Sequence, residues 1–226
     1  MTDFNARRAV VEFARRTYEK GLVAATDGNL SHRIARDRVL VTPSGFCLGE
    51  IGPDDLCVVS LDGRNVAGAH EPTSETPMHL EVYRRRPDVQ AVVHAHPPIT
   101  NAFSFAGQEL DPCVIPEVVV SLGRVPTAPY STPSCEEGPA AIRDLIRGHD
   151  AIILARHGTL TVGKTMREAY YRTEKLEHAA EVLFAARQLG PIQPLSADEL
   201  RRLADVCERH GWRKREFIYR ACGRSS

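Results

Sequence analysis

The fold is decided by a short segment near the middle of the chain, Ala91-Val92-Val93-His94-Ala95-His96-Pro97. Its apolar start is typical of a buried strand. Alternate side chains on a strand share a face, so His94 and His96 project the same way from bases roughly 7 Å apart. Two imidazoles placed in this way can converge on one metal ion.

A zinc site needs a third protein ligand, and an open fourth position if it is to be catalytic. His157 is the best candidate, because it follows a second apolar run at residues 151–154 and precedes Gly158, which allows close approach of the backbone. A lone His-x-His pattern is more often a solvated strand face. Here its neighbours are apolar on one side and a proline on the other, which favours a metal site.

Glu75 lies in the segment Thr73-Ser74-Glu75-Thr76, just ahead of a helix predicted over residues 77–86. A carboxylate in that place is ordinarily a partner of the helix dipole with no chemical role. The two hydroxyls beside it, with the free N–H groups of a helix start, would form an anion site. That combination favours Glu75 as a proton shuttle, and His79, one turn later, as a packed or supporting residue.

Two further polar turns pair a glycine with short hydrogen-bonding side chains: Asp27-Gly28-Asn29-Leu30-Ser31 and Thr42-Pro43-Ser44-Gly45. Such turns bring backbone amides close to a phosphate. Neither matches the common nucleotide-binding patterns, and each alone is an ordinary turn. Their occurrence together with Thr73-Ser74 indicates a phosphate site.

Composition narrows the class of protein. The chain has 226 residues, enough for one domain over residues 1–226, and its 29 Lys and Arg balance its 29 Asp and Glu. No global field would attract nucleic acid or an acidic membrane. No window resembles a membrane helix or a secretory signal, so we expect a cytoplasmic protein. The six cysteines show no C-x-x-C pair and are expected to be reduced, individually buried thiols.

The elements predicted along the chain indicate a mixed α/β domain built around one sheet in a layered arrangement. A helix is expected before Gly21, and the β-prone runs around Asp62-Gly63 predict an antiparallel hairpin. Ser/Thr-x-x-Glu capping boxes at Ser134, Thr165 and Ser196 predict three further helix starts, and the second of these helices extends to about residue 189.

Six motifs, in order and in register between about residues 5 and 190, resemble the class II aldolase/adducin family, and in particular its sugar-phosphate aldolases of the L-fuculose-phosphate aldolase type. They are Gly28-Asn29-Leu30-Ser31, Thr42-Pro43-Ser44-Gly45, Ser74-Glu75 ahead of His79, Arg86-Pro87-Asp88 leading to Val93-His94-Ala95-His96, Ala128-Pro129-Tyr130, and His157-Gly158 with Glu174 and Glu177 beyond. Each motif is common alone, whereas six in register are not.

The resemblance implies a single α/β domain with a central, mainly antiparallel sheet flanked by helices, in a cyclic homotetramer with its sites at subunit boundaries. It implies Zn²⁺, or another divalent metal such as Mn²⁺ or Co²⁺, on His94, His96 and His157, with Glu75 as the catalytic acid/base. The phosphate of a small phosphorylated sugar would lie on Asn29, Ser44, Gly45, Thr73 and Ser74.

The sequence departs from the resembled family at three places. Thr73 stands where the aldolases usually have a serine, although a hydroxyl is retained. The fuculose-phosphate aldolases carry a proton-donating tyrosine around residues 114–118; this sequence has none there, and Glu117 is the candidate for a polar role. The tail, residues 210–226, also departs, and Tyr219 is its one candidate for a tyrosine that reaches a neighbouring site.

The resulting hypothesis is a zinc-dependent aldolase that cleaves a ketose 1-phosphate, of the fuculose or pentulose type, to dihydroxyacetone phosphate and an aldehyde through a metal-stabilised enediolate. The same site would serve a metal-dependent decarboxylase, dehydratase or 4-epimerase. A non-catalytic adducin-like interaction domain is a further alternative, which the presence of all three histidines disfavours.

Overall fold

The computed structural model describes residues 3–223, and an eight-stranded sheet forms the central layer of this part of the chain. The strands are β1 (Asn29–Ala35), β2 (Arg38–Val41), β3 (Cys57–Ser60), β4 (Asn65–Ala67), β5 (Ala91–Ala95), β6 (Thr127–Ala128), β7 (Ala151–Leu154) and β8 (Gly158–Gly163).

The strands are arranged in the order β4-β3-β2-β1-β5-β8-β7-β6. Neighbouring strands run antiparallel except for β6 and β7, which are parallel. The expected sheet, mainly antiparallel and flanked by helices, is confirmed, and so is the hairpin that joins β3 to β4. Strand β5 lies between β1 and β8, so both of its edges are hydrogen-bonded and its register is fixed.

The described chain also contains eight α-helices: α1 (Asp3–Glu19), α2 (Thr76–Arg85), α3 (Pro98–Phe105), α4 (Pro116–Ser121), α5 (Glu137–Ile142), α6 (Met166–Leu189), α7 (Ala197–Arg209) and α8 (Arg215–Ala221). Between residues 3 and 223, none of them combines the length and apolar character needed to cross a lipid bilayer.

Two of the three predicted capping boxes lie at helix starts. The Thr165 side chain accepts a hydrogen bond from the backbone N–H of Glu168 at the start of α6, and Ser196 and Glu199 form the full reciprocal box at the start of α7. The box predicted at Ser134 is wrong. Ser134 has a φ of 62° and lies two residues before the N-cap of α5, too far to cap it, and its hydroxyl contacts that of Ser74.

Helices cover both faces of the sheet. Helices α1 and α6 pack on one face, where Phe13 belongs to the same buried cluster as Val93 of β5. Helices α2 and α5 pack on the other, where Tyr83 clusters with Val92. Since side chains alternate along a strand, His94 lies on the Val92 side, beneath α2. The layered arrangement therefore determines which helix can face the histidine pair.

The C-terminal helices α7 and α8 pack with α4 in a smaller cluster that includes the partly buried Tyr219. A disulfide joins Cys113 to Cys222, so the expectation of reduced, individually buried thiols is wrong for this pair; Cys135 is exposed, which also contradicts it. Spacing could not reveal the pair, because 109 residues separate the two cysteines and helix packing brings their Cα atoms to 5.5 Å.

The core of the sheet provides a test of this fold. Ile152 on β7 is completely buried in the cluster beneath α2 and α5. We expect Ile152→Ala to lower the free energy of unfolding by about 2–5 kcal/mol, because the cavity cannot fully collapse. In Val66→Ala, on the exposed strand β4, the change should stay within about 0.5 kcal/mol. Urea unfolding of both variants measures the difference, and equal values would contradict the assigned core.

Candidate active site

Three imidazoles meet where β5 ends and β8 begins. His94 lies within β5, His96 directly follows it, and His157 directly precedes β8. The ligand atoms that the three side chains offer all lie within 4.8 Å of one another. His94 is buried, whereas His96 and His157 are half-buried, so the cluster opens toward solvent on one side. The structure thus brings together the three histidines singled out in the sequence.

The turn that carries His157 is held close to the end of β5 by glycine. A Cβ atom on Gly158 would lie 2.4 Å from the carbonyl oxygen of Ala95 and 2.7 Å from Cδ2 of His96. The backbone before it is fixed by α3, since Asn101 donates a hydrogen bond to the carbonyl of His157. Only glycine permits this approach, which places His157 against the other two rings.

The ring nitrogens are oriented as metal ligands. Nδ1 of His94 donates a hydrogen bond to the carbonyl oxygen of Thr159 at 2.9 Å, which leaves the lone pair on Nε2. That Nε2 atom lies 3.0 Å from Nε2 of His96. A backbone carbonyl that fixes the outer nitrogen of a histidine is the usual support of a metal ligand. These residues therefore fit a divalent ion, and a set of three imidazoles suits zinc.

The surroundings of the cluster lower the pKa values of His96 and His157, which favours the neutral form of both rings. Burial, with the neighbouring His94 and His157, lowers the pKa of His96 to about 4. Burial also lowers the pKa of His157, with a further contribution from His94. Both rings are therefore neutral near pH 7, and neutral imidazole is the form that binds metal.

Glu75 is the N-cap residue of α2, and its carboxylate points at the histidine cluster. Oε2 lies 3.0 Å from Nε2 of His94, and Oε1 lies 3.5 Å from Nε2 of His157. Asn29 donates a hydrogen bond to Oε2 at 2.8 Å. Burial opposes ionisation, but His94, then Asn29 and His157, outweigh it and hold the pKa of Glu75 below its ordinary value. An ionised carboxylate thus stands beside the candidate metal ligands.

The three polar turns lie side by side at the same end of the sheet. The backbone N–H of Thr42 donates to the carbonyl of Leu30, and that of Thr73 donates to the carbonyl of Thr42. The backbone N–H of Ser44 donates to Glu71. The fold therefore brings together turns that are separated along the chain, as a shared phosphate site requires.

The same contacts show which groups face solvent. Ser44, Gly45 and Ser74 are exposed, and Thr73 is buried. The side-chain amide of Asn29 is bonded to Glu75 and to His79, so its expected contact with phosphate stays a prediction.

Glu117 lies in the first turn of α4 with an exposed side chain. Within residues 3–223 its carboxylate forms no hydrogen bond or ion pair with the three histidines or Glu75, and its catalytic role stays a prediction.

Sequence reasoning missed the segment of residues 131–135, which lines a narrow cleft together with Glu75 and His157. The hydroxyl of Ser134 lies 2.7 Å from that of Ser74. The signal that could have found this segment is its composition, Ser-Thr-Pro-Ser, which resembles the other polar turns.

Comparison with known proteins identifies the family. Residues 8–184 match the model of the Class II Aldolase and Adducin N-terminal domain. The chain belongs to the class II aldolase family. Its fold agrees with this assignment, since it superposes on the structure of an L-fuculose 1-phosphate aldolase with a TM-score of 0.82 at 27% identity, covering 90% of this chain and 96% of the other.

Curated relatives of this class II aldolase family member carry two kinds of activity in their names. The chain is 30% identical over 206 residues to the 5-deoxy-D-ribulose 1-phosphate aldolase of Bacillus thuringiensis serovar kurstaki, covering 91% of this chain and 96% of that protein. It is 33% identical over 215 residues to the 3-oxo-tetronate 4-phosphate decarboxylase of Escherichia coli K12, covering 90% and 99%. The family is therefore shown, and the individual reaction is a separate question.

The close approach at Gly158 generates a prediction about metal binding. In Gly158→Ala the new methyl group must displace the His96 ring or the Ala95 carbonyl, so we expect metal affinity to fall by about 10- to 100-fold, the range for disturbed support of ligands. Metal content per chain after dialysis against a weak chelator measures it. Gly148→Ala is the matched control, since nothing lies within 4 Å of its added Cβ. Equal metal content in the two variants would contradict this role of Gly158.

Proposed function

We propose that this class II aldolase family member is a metal-dependent lyase that cleaves a ketose 1-phosphate to dihydroxyacetone phosphate and an aldehyde. The observation that carries the proposal is the carboxylate of Glu75, whose Oε2 lies 3.0 Å from Nε2 of His94 within a three-histidine cluster. A metal-ligand set and an acid/base group in direct contact are the two parts that carbanion chemistry without an imine requires.

The roles divide between the two parts. A divalent ion held by His94, His96 and His157 would supply Lewis-acid polarisation of the substrate carbonyl and hydroxyl oxygens. Glu75 would take up the hydroxyl proton that is lost as the aldehyde forms, and would return it to the carbon from which the aldehyde has departed. Its Oε2 atom accepts a hydrogen bond from Asn29 at 2.8 Å, whereas the nearest recorded group to Oε1 within residues 3–223 is Nε2 of His157, farther away at 3.5 Å. Oε1 is therefore the oxygen that exchanges the proton.

Phosphate recognition belongs to the polar turns. The exposed hydroxyls of Ser44 and Ser74 and the backbone of Gly45 offer hydrogen-bond donors to a phosphate. Both curated relatives described above carry a phosphate in the names of their substrates, which supports a phosphorylated substrate here.

A second candidate is decarboxylation of a phosphorylated 3-oxo acid. The absence of a tyrosine from residues 114–118 and the exposure of Glu117 favour it, because loss of CO₂ needs no residue to remove a hydroxyl proton from the departing fragment. A panel of ketose 1-phosphates and 3-oxo-tetronate 4-phosphate separates the two candidates. Release of dihydroxyacetone phosphate supports the aldolase, and release of CO₂ supports the decarboxylase.

A cyclic homotetramer in the cytoplasm is the assembly and location that we propose with this function. The exposed apolar side chains Tyr171, Val182 and Phe184 on α6 support an assembly, because a subunit interface would bury them. Size-exclusion chromatography with light scattering measures the oligomeric state.

Glu75→Gln tests the proposed acid/base role. The amide keeps the shape of the side chain but cannot exchange the proton, so we expect kcat to fall by roughly 10² to 10⁴ while metal content stays unchanged. Glu12→Gln, on the exposed face of α1, should leave kcat unaltered. If Glu75 served only to stabilise the helix dipole of α2, Glu75→Gln would lower the melting temperature slightly and leave kcat unchanged. That result would contradict the acid/base role.

Ser44→Ala tests the phosphate site. Removing an exposed hydroxyl that donates to a charged phosphate should raise KM by an amount equivalent to about 1–3 kcal/mol, with kcat nearly unchanged. The internal control is a substrate analogue without the phosphate, for which wild-type protein and variant should have equal kcat/KM. An unchanged KM for the phosphorylated substrate would place its phosphate elsewhere.

A further inference from the structure

A continuous line of buried hydrogen bonds runs from the interior beneath α2 to the carboxylate of Glu75. Tyr83 Oη lies 2.8 Å from Ser31 Oγ, and Ser31 Oγ lies 2.7 Å from Nδ1 of His79. Nε2 of His79 lies 2.7 Å from Oδ1 of Asn29, whose Nδ2 lies 2.8 Å from Oε2 of Glu75. We call Tyr83, Ser31, His79 and Asn29 the buried relay.

The contact with Glu75 determines the direction of every hydrogen bond in the buried relay. Nδ2 of Asn29 donates to Oε2 of Glu75, so the same amide presents its oxygen, Oδ1, to His79. His79 must then donate from Nε2, which leaves Nδ1 as an acceptor. The single hydroxyl proton of Ser31 is donated to Nδ1 of His79, so the Ser31 oxygen accepts the hydrogen bond that Tyr83 donates.

Burial holds these protons in place. His79 is fully buried, and burial, with the nearby His94, lowers its pKa to about 3, so the ring is neutral at working pH. Burial likewise raises the pKa of Tyr83 above its ordinary value, and the guanidinium of Arg33 lies 5.0 Å from the centre of its ring. Each member thus has a single protonation state.

We propose that Ser31, His79 and Tyr83 are positioning residues that lock the orientation of the Asn29 amide and, through it, hold Oε2 of Glu75 so that Oε1 alone faces the substrate. The proposal rests on the proposed acid/base function of Glu75. An Asn29 amide rotated by 180° would present its oxygen to the carboxylate, and the resulting repulsion would turn Glu75 away from the histidine cluster. Fixing Oδ1 of Asn29 with a donor from His79 prevents that rotation.

Ser31 and Tyr83, the outer residues of the buried relay, provide the test, because within residues 3–223 their side chains form no hydrogen bond with Glu75 or the three histidines. We expect Ser31→Ala and Tyr83→Phe to lower kcat by about 10- to 100-fold, the range for small misplacement of a catalytic group, with KM and metal content unchanged. Tyr170→Phe is the matched control, because Tyr170 is buried to the same extent and, within the described part of the chain, its hydroxyl bonds only Glu174, at 3.3 Å. It should lower stability without lowering kcat.

A second measurement is independent of turnover. Long-range ¹H–¹⁵N spectra of the purified protein, with the His79 signals assigned from their loss in His79→Gln, should show the Nε2–H tautomer, and Tyr83→Phe should shift its Nδ1 signal. The Nδ1–H tautomer would overturn the proposal even if the protein cleaves none of the tested substrates, which keeps this result separate from failure of the proposed function. In an active wild-type protein, unchanged kcat in both Ser31→Ala and Tyr83→Phe would also overturn it.

Discussion

The close approach of β8 to β5 at Gly158 is the constraint on which the candidate site depends. Strand periodicity turns His94 and His96 to one face, but a pair of imidazoles leaves a metal site incomplete. The third imidazole, that of His157, can approach because residue 158 is glycine. A Cβ at this position would lie 2.4 Å from the carbonyl oxygen of Ala95. One missing side chain thereby converts an ordinary antiparallel strand pair into a three-histidine cluster.

Glu75 joins the buried relay to the histidine cluster, since its carboxylate contacts both Asn29 and His94. Buried polar groups destabilise a fold unless they are hydrogen-bonded, and every side chain from Tyr83 to Asn29 has its partner in the buried relay. The backbone carbonyl of Glu75 accepts hydrogen bonds from Met78 and His79, which fixes the start of α2. The helix, the Asn29 amide and the histidine cluster together position the carboxylate of Glu75, which limits the motion of this side chain.

The sequence carries the parts of the site that depend on local periodicity. Alternation along a strand is enough to pair His94 with His96, and polar residues ahead of a helix are enough to single out Glu75. Contacts between distant elements leave no such pattern. The amide of Asn29 was assigned to phosphate, and nothing in the order of residues shows that Ser31 on β1 and His79 on α2 flank it. The disulfide of Cys113 and Cys222 and the parallel pairing of β6 with β7 arise from packing in the same way.

The reactions named for the aldolase and decarboxylase relatives end in the same step, protonation of a carbon beside a carbonyl, and differ in the fragment that departs. Both reactions remove a carbon fragment beside a carbonyl and return a proton to the carbon left behind. The groups suited to the shared step, the histidine cluster and Glu75, are buried or half-buried and supported by hydrogen bonds. Glu117, the residue considered for the departing fragment, is exposed on α4. On the proposed function, the groups of the shared step are the ones with hydrogen-bonded support, and we expect the choice of departing fragment to depend on groups outside the histidine cluster.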